Sequence, residues 1–137
     1  MPDLPRPGTR PRVLVVDDYR DAREMYREYL HGAGFDVVEA ADGAEALLRA
    51  ADAGPDIILM DLALPVMDGW EATRRLKADP RTARIPVVAL TGHVVFGAYH
   101  EATRAGCDSF LTKPCLPEDL AREIHRVLGT AATPIGY

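Results

Sequence analysis

The sequence predicts an α/β fold, a doubly wound five-stranded parallel sheet with five helices covering both faces. Two observations predict it. Short apolar runs alternate with amphipathic helical segments five times along the chain. The runs also lack the in–out alternation of a half-exposed strand, so both of their faces must be covered.

RVLVVD (12–17) is the first strand. RDAREMYREYLH (20–31) places Ala22, Met25, Tyr26, Tyr29 and Leu30 at helical spacing, and Gly32 and Gly34 stop it. FDVVEA (35–40) is a short strand. Asp42 is placed to cap a helix running through Ala53, with Ala46, Leu47 and Ala50 on one face, before Gly54 and Pro55 break it. DIILMD (56–61) is a fully apolar strand ending in a carboxylate, and MDGWEATRRLKA (67–78) is helical. PVVALT (86–91) is a strand, residues 95–105 a helix, DSFLTK (108–113) a strand and PEDLAREIHRVL (117–128) the last helix, with Pro117 at its first turn. Residues 1–11 read as a flexible Pro-rich leader, 12–129 as one domain and 130–137 as a short tail.

Composition narrows the function classes. The 137 residues suit one domain, and a net charge of −5 disfavours direct nucleic-acid binding. Cys107 and Cys115 match no zinc spacing and read as free thiols in a reducing compartment. The N-terminus has no apolar signal region, and no stretch approaches the roughly 20 apolar residues of a membrane span. The expectation is a soluble cytoplasmic protein without membrane contact.

The polar residues gather at the strand ends. Asp17 and Asp18 close the first strand, Asp61 the third, Thr91 the fourth and Lys113 the fifth. In open parallel sheets ligands bind beyond the carboxyl ends of the strands, so these residues are expected on one edge. Three carboxylates exceed one lysine in charge, and a hard divalent cation held by oxygen ligands resolves the repulsion. His31, His93, His100 and His125 show no paired metal spacing and read as surface or cap residues.

VDD, LMDLALPVMDGW, ALTGH and FLTKP, in this order and at these strand ends, resemble the receiver domain of two-component response regulators over about residues 12–129. The resemblance implies the flavodoxin-like, CheY-like strand order 2-1-3-4-5. It implies that Asp61 accepts a phosphoryl group as an acyl phosphate, without the protein being an enzyme beyond self-catalysed phosphorylation and dephosphorylation. It implies Mg2+ (or Mn2+) bound by Asp18 directly, by Asp17 through a water, by Asp61 and by the Ala63 backbone carbonyl. Lys113 would pair with Asp61 and then with a phosphoryl oxygen, and Thr91 would bond another. Phe110, three residues before Lys113, occupies the family's switch position with Thr91, and here works by packing alone because it lacks a tyrosine hydroxyl. Ala63 and His93, two past Asp61 and two past Thr91, occupy the positions that adjust acyl-phosphate hydrolysis. Lys113–Pro114 resembles the family's Lys-Pro bond, which is commonly cis, and Pro65 and Gly69 also fit its pattern.

The implied partners are a sensor histidine kinase or histidine phosphotransfer protein and a downstream protein target. Output would pass through the face built from the helix at 95–105, the strand at 108–113 and the helix at 117–128, which also offers a homodimer contact. The charged run RDAREMYRE reads either as a solvated face or as contact with the kinase partner. The short tail leads us to expect output by protein contact or onward phosphoryl transfer, whether the chain stands alone or is a receiver fragment of a larger hybrid kinase or regulator. Two other readings remain: a degenerate docking module, and a phosphatase of the haloacid dehalogenase type. The latter's second Asp lies two residues past its strand-one nucleophile, whereas here Asp17 and Asp18 are adjacent and Tyr19 follows.

Overall fold

Strand and helix alternate along the chain as β1 (Arg12–Val16), α1 (Arg20–Gly32), β2 (Asp36–Ala40), α2 (Gly43–Ala53), β3 (Ile57–Asp61), α3 (Gly69–Ala78), β4 (Val87–Thr91), α4 (Ala98–Ala105), β5 (Ser109–Thr112) and α5 (Pro117–Leu128). The structure is a computed structural model describing residues 10–64, 67–92, 98–113 and 115–130. The expectations for Pro65, His93 and Pro114, the start of the helix before residue 98, and most of the leader and tail lie outside these residues.

The sheet runs β2-β1-β3-β4-β5 with every pair parallel, as expected. In the central strands β3 and β4 every residue is buried, which is why their sequences show no alternation. Two apolar clusters flank the sheet. Tyr26 and Leu30 of α1 meet Leu120, Ile124 and Leu128 of α5 over Val13, Val15, Ile57 and Leu59. On the other face Ala46 and Ala50 of α2 and Ala72 and Leu76 of α3 cover Leu14, Val16, Ile58 and Met60. The period of two along β1 and β3 divides their side chains between these clusters.

The element ends follow local chemistry. Asp42 caps α2 by accepting from the Glu45 N–H at 2.8 Å, and Gly54 ends that helix in the left-handed conformation at φ 56°. Helix α3 begins two residues later than the sequence suggests. Asp68 accepts from the Glu71 N–H at 2.9 Å and stands outside the helix as its cap. The signal was present as an acidic cap followed three residues later by Glu71. Met25 is 46% exposed, so the buried stripe of α1 is narrower than its apolar positions. At the start of β1, the Asp36 N–H donates to the Pro11 carbonyl, and Arg10 donates to the Phe35 and His31 carbonyls. Residues 10 and 11 are thus tied to the end of α1 and the start of β2.

Candidate functional site

The strand order changes direction between β1 and β3, which grow outward in opposite senses, and the loops there open a crevice. Val16 pairs with Met60, so the next residues, Asp17 and Asp61, stand side by side at the crevice floor. Both are buried, at 2% and 6% exposure, while Asp18 is exposed at the mouth. One oxygen from each of Asp17, Asp18 and Asp61 falls within a single 4.8 Å group.

The two buried carboxylates are held in the same way. Asp17 Oδ1 accepts from the Tyr19 N–H at 2.9 Å, and Asp61 Oδ1 accepts from the Ala63 N–H at 3.0 Å. Each thus spends one oxygen on its own loop. The other oxygens face Lys113, whose Nζ lies 3.1 Å from Asp17 Oδ2 and 3.3 Å from Asp61 Oδ2. Lys113 follows the edge strand β5, two strands away from β3, so only a long aliphatic stem brings its ammonium to the crevice. Its backbone is fixed by a 2.7 Å bond from the Lys113 N–H to the Thr91 carbonyl. The sequence paired Lys113 with Asp61; the structure shares it between Asp61 and Asp17.

Electrostatics follow from this geometry. Burial pushes the Asp61 carboxyl above its ordinary range; the Ala63 N–H and Lys113 pull the other way, and Asp17 adds to the rise. Burial alone would lower Lys113, but the Asp61 and Asp17 carboxylates outweigh it and hold the ammonium charged. Tyr26, buried in the cluster between α1 and α5, has its hydroxyl pKa raised by burial.

Thr91 ends β4 between the two halves of the site and is 8% exposed. Phe110 is half-buried on β5 opposite Ala89 and packs with Trp70 and Cys107 against Leu62 and Ala89. Ala63 is exposed beside Asp61. Cys107 and Cys115 are free and half-buried, and among the described residues no histidine joins a metal-ligating group.

Three carboxylate oxygens within 4.8 Å suit a hard cation, since an octahedral Mg2+ site spans about twice a 2.0–2.1 Å bond, roughly 4 Å, and needs only a small inward adjustment. The donor set contains no thiolate or imidazole, as such a cation requires.

The sequence did not single out Arg23. The structure places it against the site, its Nη1 donating to the Asp17 carbonyl at 2.7 Å. No local signal could have found it, because its second partner, Glu39, comes from another strand.

Comparison with known proteins agrees with this geometry. Residues 13–125 match the family described as the response regulator receiver domain. The chain is 32% identical over 119 residues to the polar-differentiation response regulator DivK of Brucella anthropi, covering 87% of this chain and 97% of that protein. It is 36% identical over 118 residues to the DNA-binding dual master transcriptional regulator RpaA of Synechocystis, of whose length it spans only 49%. Among solved structures, Vibrio cholerae chemotaxis protein CheY4 superposes with a TM-score of 0.82 at 34% identity, covering 87% of this chain and 99% of that one. The receiver domain of sensor histidine kinase PA1611 from Pseudomonas aeruginosa, solved with a magnesium ion coordinated in its active-site cleft, superposes at 0.81 with 33% identity, covering 89% of this chain and 100% of that one. With the five-stranded order, the paired aspartates and the bridging lysine all in place, the chain belongs to the response regulator receiver domain family of two-component signalling, whose members are signalling proteins rather than classical enzymes.

Proposed function

We propose that this receiver accepts a phosphoryl group on Asp61 from a phosphohistidine of a sensor kinase or phosphotransfer protein, and signals by the change that follows. The observation that carries the reading is Lys113 Nζ seated between Asp17 and Asp61 at 3.1 and 3.3 Å, with Asp18 completing the acidic group. Asp61 attacks phosphorus with a carboxylate oxygen; the P–N bond to the donor imidazole breaks, its electron pair stays on nitrogen, and an acyl phosphate forms. Lys113 then exchanges its bond to Asp61 for one to a phosphoryl oxygen. Asp17, Asp18, Asp61 and the Ala63 carbonyl would hold Mg2+ (or Mn2+), which when bound supplies positive charge against the phosphoryl oxygens.

Phosphorylation adds about −1.5 to −2 charges where one carboxylate stood. Thr91, at the end of β4, offers a hydroxyl to the new acceptor, and its movement leaves space for Phe110, which packs two positions back in register on the neighbouring strand. The face of α4, β5 and α5 thereby changes and controls partner binding or self-association. Ala63, small and exposed beside Asp61, leaves water a path to the acyl phosphate; His93 is the other position that would set its lifetime.

The test is intact mass after incubation with Mg2+ and acetyl phosphate. One added phosphoryl group, absent with EDTA and absent from Asp61→Asn, supports the reading. If the protein takes up Mg2+ and meets a competent histidine kinase yet gains no mass, the docking-module reading stands instead.

A further inference from the structure

Asp17 is gripped at every polar atom. Its N–H donates to the Ala40 carbonyl at 3.1 Å, and its side-chain oxygens meet Tyr19 N–H and Lys113. Its carbonyl accepts from Arg23 Nη1 at 2.7 Å. The N–H belongs to the peptide before Asp17 and the carbonyl to the peptide after it. Pinning both planes fixes φ and ψ of Asp17, and so fixes the direction in which the chain presents Asp18.

The grip on the carbonyl is itself anchored. Arg23 Nε lies 3.4 Å from Glu39 Oε1, and the second Glu39 oxygen accepts from Arg27 Nη1 at 2.9 Å. Glu39 precedes Ala40, whose carbonyl holds the Asp17 N–H. The end of β2 therefore holds Asp17 from both sides, once by its backbone and once through Glu39 and Arg23. The Arg23 side chain is only 16% exposed, so water competes weakly for its bonds.

We propose that Arg23 is a positioning residue for metal binding: held by Glu39, it locks the peptide between Asp17 and Asp18 so that the Asp18 carboxylate is presented to the cation. The proposal rests on the phosphoacceptor reading, in which Asp18 is a metal ligand. Charge and position act with opposite sign here. A guanidinium next to an acidic cluster repels an incoming cation, so deleting it for its charge alone would tighten metal binding. If Arg23 positions the loop, deleting it weakens binding instead. Side chains that orient metal ligands without touching the metal typically change affinity by about 10- to 100-fold.

The experiment is calorimetric titration of the full chain with MgCl2, for the native protein, Arg23→Ala, Arg23→Lys and Arg27→Ala. Arg27→Ala removes a cation of the same cluster that does not touch Asp17. The expected result is Mg2+ affinity about tenfold weaker for Arg23→Ala, the low end for such orienting partners, an intermediate loss for Arg23→Lys, and native affinity for Arg27→Ala within twofold. With acetyl phosphate, the half-saturating Mg2+ concentration should rise by the same factor as the dissociation constant while the rate at saturating Mg2+ stays within about twofold, because Arg23 touches no reacting atom. Should Arg23→Ala fold poorly, the charge-conserving Arg23→Lys decides. Equal or tighter Mg2+ binding by whichever variant is folded overturns the proposal, as does a plateau rate that falls along with the melting midpoint. If the native protein itself takes up no Mg2+, the phosphoacceptor reading fails along with it; native uptake with unchanged variant affinity sinks the Arg23 proposal alone.

Discussion

Gly69 lies directly against the backbone of Asp61: a Cβ at position 69 would stand 2.4 Å from the Asp61 carbonyl oxygen and 2.8 Å from the Leu62 Cα. The Gly69 N–H also donates to the Leu62 carbonyl at 3.2 Å. The first turn of α3 is thus stitched to the end of the strand that carries Asp61, and no side chain fits between them. Gly69→Ala should destabilise the protein by about 2–3 kcal/mol, as overpacking against backbone does. Gly32→Ala, where a Cβ meets nothing within 4 Å, should be neutral or mildly stabilising. Urea denaturation of both variants checks the contrast.

Lys113→Ala should slow phosphorylation on the order of 10²-fold at saturating Mg2+, the loss typical of one donor to a developing oxyanion. It should also raise the pH below which phosphorylation fails, because Lys113 is among the groups that draw the Asp61 carboxyl down. A pH series of initial rates by intact mass separates the two effects. An unchanged pH midpoint would mean that the ammonium does not reach Asp61 in solution.

Asp61 sets a stability dependence of its own. Burial raises its folded pKa, so the folded protein holds this proton more tightly than the unfolded chain does. That contribution is fully present below the unfolded pKa and lost as pH rises through the folded one. At neutral pH the buried charge is a burden, and Asp61→Asn in EDTA should melt about 3–5 °C higher, roughly 1 kcal/mol in a domain of this size. The advantage should shrink toward pH 4. Thermal melts of both proteins from pH 4 to pH 8 measure it.

Mg2+ should relieve the same burden by balancing the buried charge. At ten times its dissociation constant it should stabilise the native protein by about 1.4 kcal/mol. Asp18→Asn should lose most of that gain while keeping its stability in EDTA, because Asp18 is exposed and Asp17 and Asp61 are not. Melting midpoints with Mg2+ and with EDTA give the comparison.

Much of this was readable from residues alone. The apolar runs of β3 and β4 mark buried parallel strands because both faces are covered, and the strand-end rule then gathers Asp17, Asp18, Asp61, Thr91 and Lys113. The start of α3 was misplaced because Met67 looks helical by hydropathy, whereas the Asp68 cap fixes the boundary. Met25 shares the helical spacing of the buried residues yet is exposed, because spacing alone cannot tell how wide a face the sheet covers. The division of Lys113 between two aspartates and the link from Glu39 through Arg23 to Asp17 were not legible. Each joins segments that meet only once the sheet is assembled, and ion pairing between segments leaves no periodic trace.

The bond from Lys113 to Asp17 joins residues 96 positions apart. Asp17 and Asp61 precede Lys113 in the chain, and the cation that compensates them arrives only after β5. A chain cut before Lys113 would leave Asp17 and Asp61 without their lysine. On the proposed phosphoacceptor reading, the charge balance of the site would be set only when β5 joins β4 and brings Lys113 to the two aspartates.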